Sequence, residues 1–197
     1  MQLIFATNNQ HKVEEIKSSL PQTVSIISLK EAGIDIDIPE PHATLEENAK
    51  EKGRTIYELT KQNCFSEDTG LEVAALNGAP GVHSARYAKG ESSPYNNIQK
   101  LLNELKTFEN RLAQFRTIIF LSLGDKEHYF EGICKGQITL SPIGSSGFGY
   151  DSVFIPYGSQ KTFAQMTMTE KSTYSHRQKA MSKLVTFLNH YSINSRT

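Results

Sequence analysis

Four short segments of this 197-residue chain carry residue types whose spacing suits phosphate and divalent-cation chemistry. The first is Thr7-Asn8-Asn9-Gln10-His11-Lys12, which stands between an apolar run and the start of a helical pattern. Backbone N–H groups at a helix start have no partner within the helix, and the helix dipole favours anions there. Thr7, Asn9 and Lys12 add side-chain donors on the same turn. The Gly-x4-Gly-Lys-Ser/Thr pattern of the P-loop is absent, and a plain N-cap at Thr7 or Asn9 is the simpler alternative. The second segment is Glu67-Asp68-Thr69-Gly70. Mg²⁺ takes one or two carboxylates and leaves the rest of its octahedron to phosphates and water. Successive strand residues point to opposite faces, so one acid at most is a first-choice ligand. Asp68, closer to the expected turn, is preferred, and an ordinary acidic turn is the alternative.

The third segment is Gly144-Ser145-Ser146-Gly147-Phe148-Gly149-Tyr150-Asp151. Glycines flanking an aromatic let a flat ligand approach the backbone, and Asp151 can accept hydrogen bonds from a base edge. The order Gly-x-x-Gly-x-Gly is not a dinucleotide fingerprint, and a glycine-rich hairpin shares it. The fourth is Lys171 to Lys179, where Lys171, His176 and Arg177 form a donor cluster suited to phosphate or a carbonyl-bearing base. Ser175 and His176 are helix neighbours that do not face each other, and no Gly-x-Ser-x-Gly elbow exists, which argues against a serine hydrolase.

Positioning these segments requires an α/β arrangement. Leu3 to Ala6 reads as a buried strand, followed by a helix carrying Val13, Ile16 and Leu20, then a strand from Val24 to Leu29. A loop covers Glu31 to His42. Thr44 caps the next helix, whose face carries Leu45, Ala49, Ile56 and Leu59; Glu47 completes a capping box, and the end falls near Gln62. Cys64 to Glu67 is expected as a short strand that delivers Asp68-Thr69-Gly70 to its end, with Leu71 to Leu76 a separate extended piece broken by Gly78-Ala79-Pro80-Gly81. After Ser92 and Ser93, Pro94 opens a helix with the stripe Ile98, Leu101, Leu102 and Leu105. Phe115 to Leu123 and His128 to Cys134 pair around Gly124-Asp125, Gln137 to Leu140 is a third strand, and Val153 to Ile155 a further one. The last helix starts near Ser175 and carries Ala180, Leu184, Val185 and Leu188. Residues 1–191 are expected to form one domain of two lobes, and 192–197 a disordered tail.

Composition narrows the function classes. Apolar residues make up 38% and charged residues 21%, as in a globular protein. Lys plus Arg total 21 and Asp plus Glu total 21, so the formal charge is +0 and polynucleotide binding is not expected. Cys64 and Cys134 belong to no metal or disulfide pattern, and the six histidines include no HExxH pair. No apolar run approaches the roughly 20 residues of a membrane span, and the start shows no basic stretch or cleavage pattern, so a cytoplasmic location is expected.

In order along the chain, Ala6 to Lys12 with Glu15, Glu46-Glu47-Asn48-Ala49, Ser66 to Leu71, Gly78 to Tyr87, Gly147 to Asp151, and Glu170-Lys171-Ser172 with Ser175-His176-Arg177 resemble the Ham1-like nucleoside triphosphate pyrophosphatases. These stretches run from residue 6 to residue 180. The resemblance implies two lobes around a long central mixed β-sheet with an active-site cleft between them, and a homodimer. It implies Mg²⁺-dependent hydrolysis, with Mn²⁺ as substitute, of non-standard purine nucleoside triphosphates (ITP, dITP, XTP, dXTP) to monophosphate and pyrophosphate. By the same resemblance, Thr7, Asn8, Asn9, Gln10, His11, Lys12 and Thr69 bind substrate, with Thr7, Asn9 and Lys12 on the phosphates. Phe148 stacks on the purine, and Gly149, Tyr150, Asp151, Lys171, His176 and Arg177 complete the pocket. Arg177 is expected to read the 6-oxo group, with His176 or a main-chain N–H near position 2. Asp68 binds metal or acts as base, and Glu40 is the second ligand, with Asp37 and Glu67 as alternatives. The family's usual glycine in the first motif is Asn8 here, a residue that tolerates positive φ. Two rival classes are a nucleotide-binding module without turnover and a nucleic-acid binder. A pyrophosphatase for modified pyrimidines is a nearer alternative.

Overall fold

A computed structural model describes residues 2–18, 20, 24–88 and 94–194. The chain folds as two compact units, Met1–Asp68, Thr117–Gly132 and Arg177–Thr197 forming one, Thr69–Arg116 and Ile133–His176 the other. Seven strands are joined by hydrogen bonds in the order β2-β1-β3-β5-β6-β7, with β4 paired to β3; they are β1 (Gln2–Phe5), β2 (Ser25–Ser28), β3 (Cys64–Val73), β4 (Pro80–Gly81), β5 (Leu112–Leu123), β6 (Lys126–Ile138) and β7 (Phe154–Pro156). The sheet is mixed: β1 runs parallel to β2 and β3, whereas β4 is antiparallel to β3 and β7 to β6. The helices are α1 (Gln10–Lys17), α2 (Leu45–Thr60), α3 (Pro94–Glu104), α4 (Met168–Tyr174) and α5 (His176–Asn194).

The first unit explains its own unbroken apolar run at Leu3 to Ala6. Strand side chains alternate between faces. Leu3 and Phe5 join Val13 and Ile16 of α1 and Ala180, Leu184 and Leu188 of α5, while Ile4 and Ala6 join Leu29, Ile56 and Cys64. A strand covered on both faces has no position for a polar residue. The rings of Phe5 and Phe65 stack at 4.4 Å across the β1–β3 pair. The second unit has its own core, built from Leu71, Val73, Ile98, Leu101, Phe115, Val153, Phe154 and Phe163.

Several boundaries differ from expectation for physical reasons. Asp68-Thr69-Gly70 is not a turn at a strand end, because β3 continues unbroken to Val73. β4 pairs with Leu71 and Glu72, and a Cβ on Gly70 would lie 2.6 Å from the carbonyl oxygen of Gly81. Close approach of two backbones, not a turn, accounts for that glycine. Gln137 is likewise part of β6 rather than of a third strand. Leu59 points away from the buried face of α2 that carries Leu45, Ala49 and Ile56. Thr44 caps α2 as expected, accepting from the N–H of Glu47, but its hydroxyl donates to the Glu47 carboxylate at 2.8 Å. A short helix, α4, precedes α5, and its capping box pairs Thr167 with Glu170. Ser192 to Asn194 belong to α5, so the expected tail begins inside a helix. Residues 195–197, like Ser92 and Ser93, lie outside the described residues.

Candidate functional site

In the first unit, a buried ammonium organises the acids. Lys52, on α2, places Nζ 3.2 Å from Asp68 Oδ1 and also pairs with Glu40. Lys52 and Asp68 are buried, and Asp68 Oδ2 has no hydrogen-bond partner among the described residues. A buried carboxylate oxygen without a donor is costly unless a ligand, ion or water meets it. Burial raises the proton affinity of Asp68; Lys52 and Lys12 oppose that rise without cancelling it, and Glu40 adds to it. Two carboxylates therefore converge on the Lys52 ammonium, and carboxylate oxygens are also the donors that Mg²⁺ or Mn²⁺ prefers.

Glu67, the next residue back, faces other partners. Lys12 Nζ lies 3.0 Å from its Oε1, and Arg177 grips both its oxygens, Nε at 2.8 Å and Nη2 at 3.0 Å. Arg177 also pairs with Glu15 through Nη1. Burial by itself would raise the proton affinity of Glu67, but Arg177 and Lys12 outweigh it and hold the carboxyl well below the usual range. Strand alternation thus separates the two acids: Asp68 meets Lys52, and Glu67 is locked by Lys12 and Arg177.

The turn between β1 and α1 is built as a helix start. Asn9 is the N-cap, its side chain accepting from the N–H of Lys12 at 3.3 Å, and Thr7 Oγ1 accepts from the N–H of Asn9. Asn9 uses its acceptor on the helix, as the simpler reading of that motif has it. Gln10 and His11 are exposed, and Gln10 donates to Glu14. Asn8 is not among the residues of positive φ; its amide donates to the carbonyl of Ile36 at 2.9 Å.

The second unit holds a separate constellation. Asp151 Oδ2 accepts from the backbone N–H of Phe148 at 2.9 Å and from Lys171 Nζ at 2.6 Å. Lys171 Nζ stands 5.0 Å from the centre of the Phe148 ring. Gly147 has φ +80, and a Cβ there would fall 2.2 Å from Asp151 Oδ2, so only glycine lets the loop close on that carboxylate. Tyr150 is buried and its hydroxyl, kept protonated by burial, donates to the carbonyl of Ser84 at 2.8 Å. The imidazole of His176 stacks on Phe115 at 4.6 Å. Thr69 and Gly149 are half-buried in this unit.

The expected residues therefore separate into two sets: Thr7 to Lys12, Glu40, Asp68 and Arg177 in the first unit, and Thr69, Phe148 to Asp151, Lys171 and His176 in the second. The guanidinium of Arg177 is buried and engaged by Glu67 and Glu15. Lys52 was not anticipated. Its signal was present: it lies on the stripe of Leu45, Ala49 and Ile56, where a lysine must find a buried partner. Among the described residues there is no cluster of three or more His, Cys, Asp and Glu arranged to hold a metal.

The chain as a whole is similar to known proteins. The profile of the Ham1 family matches residues 3–187. A dITP/XTP pyrophosphatase of Flavobacterium psychrophilum is 49% identical over 187 residues, covering 95% of this chain and 98% of that protein. The solved Ham1 protein of Staphylococcus aureus superposes with a TM-score of 0.87 at 38% identity, over 97% of this chain and 100% of that one. A HAM1 protein from Coxiella burnetii gives 0.87 at 33% identity, over 96% and 99%.

Proposed function

This chain belongs to the Ham1 family, and from that premise we propose that it hydrolyses non-standard purine nucleoside triphosphates, ITP, dITP, XTP and dXTP, to the monophosphate and pyrophosphate. The observation that carries the reading is the convergence of Glu40 and Asp68 on one buried cation, with Asp68 Oδ2 lacking a protein partner among the described residues. That donor set fits Mg²⁺, with Mn²⁺ as substitute, and Glu40 and Asp68 are the residues that would hold it. Bound there, the ion supplies Lewis-acid polarisation of phosphate oxygens and activation of water.

The chain's own residues do the rest. Lys12, Thr7 and the α1 N-terminus hold phosphate oxygens, and Glu67 with Arg177 fixes the ammonium of Lys12. Lys52 keeps the two carboxylates together when no substrate is bound and offers its charge to the leaving pyrophosphate. Asp68 Oδ2 orients the attacking water toward the α-phosphorus and accepts its hydrogen bond. Phe148 takes the purine by stacking, its loop held by the Lys171–Asp151 pair. With Arg177 engaged by acids, choice of the 6-oxo base falls to main-chain groups around Gly149. The reading includes a homodimer, testable by light scattering, and a cytoplasmic location; no helix among the described residues is long and apolar enough to cross a membrane.

The test is a nucleotide panel with Mg²⁺ and direct pyrophosphate detection. ITP and XTP and their deoxy forms should turn over with pyrophosphate as the first product, while ATP and GTP persist. Orthophosphate as the first product, or preference for a modified pyrimidine, defeats the reading.

A further inference from the structure

The stretch from Ile34 to Glu40 belongs to no helix or strand, yet it carries one of the two carboxylates at the cation position. Ile34, Ile36 and Ile38 are half-buried against the cluster of Ile4, Leu29 and Ile56, while Asp35, Asp37 and Pro39 are exposed. Apolar burial is non-directional: it chooses which face lies down and leaves the chain able to slide. A directional anchor must come from hydrogen bonds. Such a bond reaches the backbone between Asp35 and Pro39, running from Asn8 Nδ2 to the carbonyl of Ile36 at 2.9 Å. Asn8 sits on the turn that also carries Thr7 and the N-cap Asn9. Its backbone is not left-handed, so the position uses its amide and not its tolerance of positive φ.

We propose that Asn8 is a positioning residue that ties the phosphate turn to the arm bearing Glu40, so that the two places where substrate and cation must meet are set together. The proposal rests on the reading of Glu40 as a cation ligand. Pro39 and Pro41 flank Glu40 and fix φ on either side of it. A tether at Ile36 thereby lies within about 13 Å of chain, at most, of Glu40. Lys52 holds the far end of the same arm through Glu40. Asn8 serves the phosphate indirectly, by keeping the acid in register.

Two variants test this. Asn8→Ala removes the amide, and Asn8→Asp keeps its shape without the donor. On nucleotide-free full-length protein, cleavage by an aspartate-specific protease at the exposed Asp35 and Asp37 should speed up about threefold to tenfold in both, the range one hydrogen bond commands. In turnover, the half-saturating Mg²⁺ concentration should rise by a similar factor and by more than the KM for XTP measured at saturating Mg²⁺. Unchanged cleavage overturns the tether. A raised KM with an unmoved Mg²⁺ requirement overturns it too, and makes Asn8 a direct phosphate contact. Should the wild-type chain leave every purine triphosphate intact, the proposed function falls, and the cleavage rates alone still decide whether Asn8 holds the arm.

Discussion

Neighbouring acids on one strand do different work because their cations differ. Asp68 shares Lys52 with Glu40 and keeps one oxygen without a partner among the described residues, whereas Glu67 has both oxygens gripped by Arg177 and one also by Lys12. Asp68→Asn should fold normally and lower kcat by about a hundredfold or more, the scale of losing a cation ligand or a base. Nearly full activity in steady-state assays would move the centre to Glu40 or Glu67. Arg177→Met should act on stability instead. It takes the guanidinium away from the buried Glu67, which keeps Lys12, and from the half-buried Glu15, and breaking a buried ion pair from one side costs about 3–5 kcal/mol. Urea unfolding measures this, and a loss below about 1 kcal/mol would show that the acids find other partners or take up protons. Arg177 is also a residue whose acidic partners the sequence reading did not name. The donors of a guanidinium are visible in its name, but the two carboxylates that occupy them come from residues 15 and 67 and are brought to it only by the fold.

At the level of elements, α4 depends on an ionised cap. Glu170 reaches back to the N–H of Thr167 at 2.8 Å and pairs with Lys161 at 2.7 Å, which together bring its pKa down to about 2. Because the folded value lies below the unfolded one, the carboxylate stabilises the fold above the ordinary pKa of 4.5, and this contribution fades as pH falls toward 2. Glu170→Gln keeps an acceptor for the cap and removes the charge. Thermal melts should show wild type above Glu170→Gln at neutral pH, with the gap closing between pH 4.5 and 2; a gap constant with pH would assign the effect to packing. Sequence reading missed this helix: the run from 167 to 174 has too few apolar residues to announce one, and its Thr-x-x-Glu spacing is the one signal it carries. Elements with strong periodicity, α1, α2 and the apolar strands, were readable. The continuation of β3 through Asp68-Thr69-Gly70 was not, because a glycine needed for close backbone contact looks in sequence like one needed for a turn.

For the molecule as a whole, charge balance and charge pairing point the same way. The 21 basic residues match 21 acidic ones, and each cation singled out as chemical is already paired: Lys12 with Glu67, Lys52 with Glu40 and Asp68, Arg177 with Glu67 and Glu15, Lys171 with Asp151. Such pairs present little net positive field to a polyanion. A triphosphate, by contrast, arrives with its own divalent cation, which neutralises part of its charge and meets the carboxylates that a bare polynucleotide would be repelled by. Polynucleotide affinity grows with the number of phosphates that free Lys and Arg neutralise, and ordinary non-specific binders reach Kd values of about 10⁻⁴ to 10⁻⁶ M at physiological salt. This chain should fall on the weak side of that range. Fluorescence anisotropy with single- and double-stranded 20-mers, from low to physiological salt, should show no saturable binding below about 10⁻⁴ M. Micromolar affinity that weakens steeply with salt would mean that the paired lysines open to phosphate backbones, and would turn the functional reading from free nucleotides to nucleic acid.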